Sequence, residues 1–157
     1  MRLIDTHSHI YGPEFDEDRA EVYERARAAG VEALVLPAID SESNGAMFEM
    51  ARSYDNCYPL IGLHPTSVND NPRWREELAE VERLLKACNG GASSAPIGSP
   101  ERPVERFWGV GEVGLDFYWS SDWKAEQSEA FRRQVELSIG YDLPLVVHTR
   151  SAWNEML

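Results

Sequence analysis

The residues of this chain best suited to chemistry are a few histidines and one glutamate, each placed where an apolar run ends. Asp5-Thr6-His7-Ser8-His9 follows the short run Arg2-Leu3-Ile4. Side chains on extended backbone alternate between faces, so His7 and His9 project to one side and Ser8 to the other. Two imidazoles on one face at a strand end make a chelating pair for a divalent cation. Taken alone, the same pair also reads as surface or hydrogen-bonded histidines. The chain has four histidines, and the other two, His64 and His148, also close strand-like runs. Glu112 closes a further one, inside Gly111-Glu112-Val113-Gly114-Leu115-Asp116. A carboxylate there is expensive to bury unless it meets a cation, several donors or an arginine such as Arg150. His148 reads as a ligand or as a core histidine donating to a carbonyl. His64, before Pro65, reads as a substrate-binding group or a loop cap. Asp5 either orients a ligating histidine or serves as a structural acceptor.

The elements that must position these groups alternate regularly. Arg2 to Ile4 is a first strand, and Asp16 is the expected N-cap of a helix running to Ala29, with Gly30 as its stop. Val31 to Leu36, apolar but for Glu32, reads as a strand buried on both faces. Ser41 to Tyr54 reads as helix, Tyr58 to Leu63 as strand, and Trp74 to Cys88 as a helix with Leu78, Val81, Leu84 and Leu85 at core spacing. Residues 89–106, rich in Gly, Ser and Pro, read as a flexible surface insertion. Phe107 to Val113 is a fourth strand, Ala125 to Tyr141 a helix, Leu145 to His148 a fifth strand, and Ser151 onward another helix. Such alternation implies parallel strands with right-handed crossovers, in a doubly wound sheet or a (β/α) barrel. No Gly-rich phosphate loop follows the first strand, which counts against dinucleotide binding. In parallel α/β folds the C-terminal edge of the strands is where active sites form. All four histidines and Glu112 fall on that edge.

Composition narrows the classes. At 157 residues the chain suffices for one domain, and 43% hydrophobic with 27% charged residues is ordinary for a globular protein. No run approaches a membrane span, and Asp5 interrupts the apolar stretch a signal peptide needs. Cys57 and Cys88 are isolated and read as reduced core thiols of a cytoplasmic protein. The formal net charge of −12 argues against a basic nucleic-acid groove. It does not argue against an acidic metal site, because bound cations bring their own charge.

Four stretches together carry a resemblance: Ile4-Asp5-Thr6-His7-Ser8-His9, Gly62-Leu63-His64-Pro65, Gly111 to Asp116, and Pro144-Leu145-Val146-Val147-His148-Thr149-Arg150. In this order they resemble the TatD family of metal-dependent hydrolases, a branch of the amidohydrolase superfamily. The first motif alone is also similar to PHP-type phosphoesterases, from which the Gly-Glu-Val-Gly-Leu-Asp run separates it. The resemblance implies a TIM-type barrel and two divalent metal ions, with Zn²⁺, Mn²⁺ and Mg²⁺ all compatible with the ligand types. By analogy His7 and His9 hold one metal, His148 the other, and Glu112 bridges both. His64 and Arg150 become candidates for phosphate contacts. The implied activity is that of a deoxyribonuclease, trimming single-stranded DNA from its 3′ end.

The family's remaining ligands are a histidine after strand six and an aspartate after strand eight, the latter also the expected base. Neither lies in these 157 residues, and a closed eight-stranded barrel takes about 250 residues. The expectation is therefore a single partial domain over 1–157, the first five βα units of eight. On its own such a chain is expected to be poorly soluble and inactive. Two alternatives stand beside the nuclease: an amidohydrolase-type esterase or deacylase acting on, for example, an aminoacyl ester, and a catalytically incomplete metal-binding fragment. No sequence feature names a protein partner.

Overall fold

The computed structural model describes residues 1–91 and 93–156. Its order is β1 (Leu3–Asp5), α1 (Arg19–Ala28), β2 (Val31–Leu36), α2 (Ser41–Ser53), β3 (Cys57–Pro59), α3 (Trp74–Asn89), β4 (Val110–Asp116), α4 (Lys124–Gly140), β5 (Leu145–Arg150) and α5 (Trp153–Met156). Single 3₁₀ turns at Pro13–Phe15 and Pro65–Ser67 follow β1 and β3. All strand pairs are parallel: β1 with β2, β2 with β3, and β4 with β5. The two sheets meet through the Ile61–Val110 bridge. There Ile61 N–H donates to the Gly109 carbonyl at 3.1 Å and Gly111 N–H donates to the Ile61 carbonyl at 2.9 Å. The strands thus lie side by side in chain order, as repeated right-handed βα crossovers require.

Several boundaries differ from the sequence expectation: β4 runs Val110–Asp116, not Phe107–Val113, and β5 continues past His148 to Arg150, so Glu112 and His148 lie within their strands and not at the ends. Two further differences have local reasons. The third strand is regular only over Cys57–Pro59, because the chain then leaves β2 and pairs with the start of β4 instead. Helix α1 begins three residues after Asp16, since Pro13–Phe15 first forms a 3₁₀ turn whose end Asp16 takes. The Asp16 carboxylate pairs with Arg19, which also donates to the carbonyls of Ile10, Tyr11 and Gly12 and so pins the loop after His9.

The core lies between the strands and the helices that cover them. Helix α3 turns Trp74, Leu78, Val81, Leu84, Leu85 and Cys88 inward, the i, i+3, i+4 stripe its sequence carries. Every residue of β4 is buried. Helix α4 contributes two buried glutamines a heptad apart. Gln134 accepts from Leu63 N–H at 2.7 Å and donates to the Leu63 carbonyl at 3.1 Å. Gln127 does the same for Asp116, at 2.8 and 2.9 Å. These amides satisfy backbone that has no ladder partner and hold the chain on either side of the candidate site. Cys57 and Cys88 are both buried and free. In the 89–106 segment Pro103 and Val104 pack inward. Asn89 bonds both backbone groups of Phe107 there, at 2.9 and 3.0 Å. Ile4 and Val147 are exposed at 66% and 48%, on the strands that end the sequence-ordered array. Among the described residues no helix is long and apolar enough to cross a membrane.

Candidate metal centre

Loops after β1 and β3 (His7, His9, His64) and positions within β4 and β5 (Glu112, His148) bring together five of the six proposed site residues. On one side, His7 Nε2 lies 3.1 Å from His9 Nε2 and 3.0 Å from Glu112 Oε2. His9 Nε2 completes the triangle at 3.5 Å from the same oxygen. Across the carboxylate, His148 Nδ1 lies 3.0 Å from Glu112 Oε1, while His64 Nε2 lies 3.8 Å from Oε2, the oxygen that faces His7 and His9. Arg150, the sixth, does not reach Glu112. It pairs with Asp116 instead, with Nε and a terminal nitrogen each 2.8 Å from Oδ2.

Close approach of β4 to β5 makes this arrangement possible. Gly114 has φ of +148°, and a Cβ there would sit 1.9 Å from the His148 carbonyl. Only glycine allows both the backbone conformation and the contact.

The donor set suits a cation. A metal bound at about 2.0–2.1 Å to nitrogen holds neighbouring ligand atoms roughly 3.3 Å apart in tetrahedral geometry. The triangle of His7, His9 and Glu112 has edges of that size. The tautomers agree. Tyr11 Oη donates its single proton to the Pro37 carbonyl. It must therefore accept from His9 Nδ1–H, 2.8 Å away, leaving the His9 Nε2 lone pair facing the site. Burial, reinforced by Asp40 and Glu112, raises the Tyr11 pKa, so the phenol keeps that proton. His148 is flanked by two carboxylates, with Nε2 2.9 Å from Asp116 Oδ2 and Nδ1 3.0 Å from Glu112 Oε1. A neutral imidazole has a proton for only one of them. With Nε2–H given to Asp116, the Nδ1 lone pair faces a carboxylate oxygen, a juxtaposition that a cation between them satisfies.

His64 behaves differently. Its Nδ1 accepts from Thr66 N–H at 3.2 Å and meets the Thr66 hydroxyl at 2.6 Å. Nε2 therefore carries the proton of the neutral ring and presents a donor, not a lone pair, to the site. Although His64, Glu112 and His148 lie close enough to share an ion, this tautomer favours hydrogen bonding by His64 over ligation. Asp5 is a local acceptor, its Oδ1 taking His7 N–H at 3.1 Å.

Electrostatics follow from the crowding. Burial raises the Glu112 pKa, but His9, His64, His7 and His148 around it outweigh that and hold it at about 2. Burial lowers His64 from 6.5 to about 4, against the opposing pull of Glu112. Both folded-state values lie below the unfolded ones, so in each window the unfolded chain binds the extra proton and stability rises with pH. The metal-free protein should lose stability as pH falls from 6.5 toward 4 through His64, and from 4.5 toward 2 through Glu112. The His64 contribution is about 3 kcal/mol. Denaturant midpoints in chelator at pH 7, 5.5 and 4.5 should show the upper slope in wild type and lose most of it in His64→Asn, whose amide oxygen can replace Nδ1 as acceptor. An unchanged slope refutes the assignment.

Sequence reasoning missed two residues. Asp116 was visible only as the end of a motif, although it stands at i+4 from Glu112 and so points to the same side of β4. Tyr11 carried no such signal, because residues 9–12 form a turn closed by the Gly12 N–H on the His9 carbonyl. Replacing Tyr11 with Phe keeps the ring but removes the acceptor, so His9 can place its proton on either nitrogen. Zn²⁺ affinity, measured by calorimetric titration, should fall about tenfold or more. Undiminished affinity would remove Tyr11 from the centre.

Comparison with known proteins gives the site its context. The family model described as TatD related DNase matches residues 4–157. The uncharacterized metal-dependent hydrolase YabD of Bacillus subtilis is 34% identical over 155 residues, 99% of this chain and 53% of that protein. The 3′-5′ ssDNA/RNA exonuclease TatD of Cronobacter turicensis is 32% identical over 150 residues, 96% of this chain and 50% of that protein. Human deoxyribonuclease TATDN3 is 33% identical over 155 residues, 96% of this chain and 53% of that protein. The crystal structure of YJJV, a TatD homolog from Escherichia coli, superposes with a TM-score of 0.78 at 28% identity, covering 98% of this chain and 53% of that one. The chain spans about half the length of the curated relatives it matches. With a family match running from the first strand to the last residue, the chain belongs to the TatD-related DNase family.

Proposed function

We propose that the protein is a metal-dependent phosphodiesterase, a deoxyribonuclease acting in the cytoplasm on single-stranded DNA from its 3′ end. The observation that carries this reading is the division of Glu112, one oxygen toward His7 and His9 and the other toward His148. In it His7 and His9 would hold one divalent cation and His148 a second, with Glu112 offering an oxygen to each, and Zn²⁺, Mn²⁺ or Mg²⁺ would suit these donors. When bound, such ions would supply an ionised water and charge neutralisation for phosphoryl displacement. The protein's own side chains do the positioning. Tyr11 and Asp116 select the tautomers of His9 and His148. His64 presents its neutral Nε2–H to a phosphate oxygen. Arg150, held by Asp116, offers its remaining N–H groups to a neighbouring phosphate. The five strands are read as the first units of a TIM-type barrel, with the site at its C-terminal rim.

A second reading, hydrolysis of an aminoacyl or similar ester, is favoured by the net charge of −12, which repels a polyanion. Chelator-stripped protein, in its intact form, should be resupplied with Mg²⁺, Mn²⁺ or Zn²⁺. It is then given end-labelled single-stranded DNA, the duplex, and an aminoacyl ester. Stepwise release from the 3′ end of the single strand is expected. Release from the ester alone transfers the site to the second reading. Metal binding without hydrolysis of either makes the protein a metal-binding module.

A further inference from the structure

Beyond β4 the chain splits its aromatic residues. Phe117 turns inward against Leu115 and Ala152, while Tyr118 and Trp119 turn outward, 61% and 68% exposed. The two outward rings are ordered against each other, edge to face with centroids 4.9 Å apart and planes at 85°. The Arg150 guanidinium lies in the corner they form, 4.9 Å from the Tyr118 ring and 5.3 Å from the Trp119 ring. Asp116 Oδ2 grips the same guanidinium and also accepts from His148 Nε2 at 2.9 Å. A single carboxylate therefore links the exposed aromatic pair, through Arg150, to a histidine of the metal centre.

We propose that Tyr118, Trp119 and Arg150 form a nucleotide subsite, in which an unpaired base lies on the Trp119 ring while Arg150 takes its phosphate. The inference rests on the nuclease reading and adds how the strand is held. Its physical basis is the charge of the chain. A net charge of −12 over these 157 residues disfavours gathering nucleic acid by a broad basic surface on this part of the chain. Base–aromatic stacking is a contact that ignores net charge, and it is sequence-tolerant because every base has a π-face. Stacking on an exposed ring requires a base outside a duplex, so the subsite selects single strands. Arg150 supplies the local positive charge. Its planar fork is fixed on one edge by Asp116 and on its face by the rings, leaving the other edge free for an oxyanion.

The test separates the subsite from the catalytic reading. In chelator, where no cleavage occurs, fluorescence anisotropy measures binding of labelled oligothymidylate and of an abasic oligomer of equal length. Wild type should prefer oligothymidylate. Trp119→Ala should bind it about tenfold more weakly and the abasic oligomer unchanged, while Trp119→Phe restores most of the loss. With metal restored, Trp119→Ala should raise KM for the single strand and leave kcat nearly unchanged. Equal wild-type affinity for both oligomers overturns the subsite, and is the result if another protein segment lies over the pair. Unaltered binding by Trp119→Ala overturns it too. Preserved discrimination with no metal-dependent cleavage keeps the subsite and overturns the nuclease.

Discussion

Glu112→Gln should remove metal binding from both halves of the centre at once. The residue is 8% exposed on an entirely buried strand, so bulk water does not readily take the place of its carboxylate. Its two oxygens face different histidines, Oε2 toward His7 and His9 and Oε1 toward His148. Glutamine keeps the shape and loses the charge, and one of its two positions becomes a donor facing ring nitrogens whose lone pairs are needed by a cation. Removing one partner from a buried charged set costs about 3–5 kcal/mol, or roughly 10²–10⁴-fold in affinity. The informative measurement is stoichiometry. Titration with Zn²⁺ or Mn²⁺ should show both binding events lost in Glu112→Gln. His7→Asn, on one side only, should lose one event and keep the other. If the two variants lose the same single event, Glu112 is not shared.

Much of this arrangement can be read before any coordinates are known, for a definite reason. Parallel strands announce themselves as largely apolar runs, and Val31–Leu36 is a strand with those bounds, although only Leu34 and Leu36 in it are fully buried. The site residues lie in or just after such runs, so position along the chain comes close to position in space. Period two puts His7 and His9 on one side, and their Nε2 atoms do meet. What alternation cannot supply is which atom of a ring is already engaged. The Nδ1 of His64 is taken by Thr66, two residues away, and that of His9 by Tyr11, whose own proton goes to the distant carbonyl of Pro37. Both ring partners are local, but the direction of the His9–Tyr11 bond is set by the Pro37 carbonyl, which is brought up by the crossover that places β2 beside β1. The alternative reading, in which Arg150 neutralises Glu112, fails on register. Arg150 and Glu112 lie on adjacent strands, but the β4–β5 register places Arg150 opposite Asp116. The carboxylate of Asp116 reaches it first.

Asp116 is the second position where one substitution should have a large effect, because it is wholly buried and serves three donors. Oδ2 accepts from His148 Nε2 at 2.9 Å and from Arg150 Nε at 2.8 Å, while Oδ1 accepts from Tyr118 N–H at 3.1 Å. Burial raises its pKa, but Arg150, His148 and the Tyr118 amide together pull it below the ordinary range. The stability it confers is therefore present above the unfolded carboxylate pKa and lost as pH falls below it. In Asp116→Asn, Oδ1 can still take the Tyr118 amide, which turns the new NH₂ group toward two other donors. Placing a donor against the buried edge of a guanidinium and an imidazole N–H should cost about 3 kcal/mol of folding stability. The consequence at the centre is separate. Without its acceptor, His148 no longer has a reason to keep the proton on Nε2, and the Nδ1 lone pair facing Glu112 is lost in part of the population. The affinity of the His148 side should fall about 10–100-fold, while the His7–His9 side, which Asp116 does not touch, stays as in wild type. Denaturation and metal titration on the same samples separate the two effects. A variant that is less stable but binds both ions normally would confine Asp116 to a structural role, and one that is stable but weak on one side would confine it to the centre. Nitrogen-15 chemical shifts of the His148 ring provide the direct readout. They should report one tautomer in wild type and a mixture in the variant, and a ring unchanged between the two would refute the link from carboxylate to imidazole.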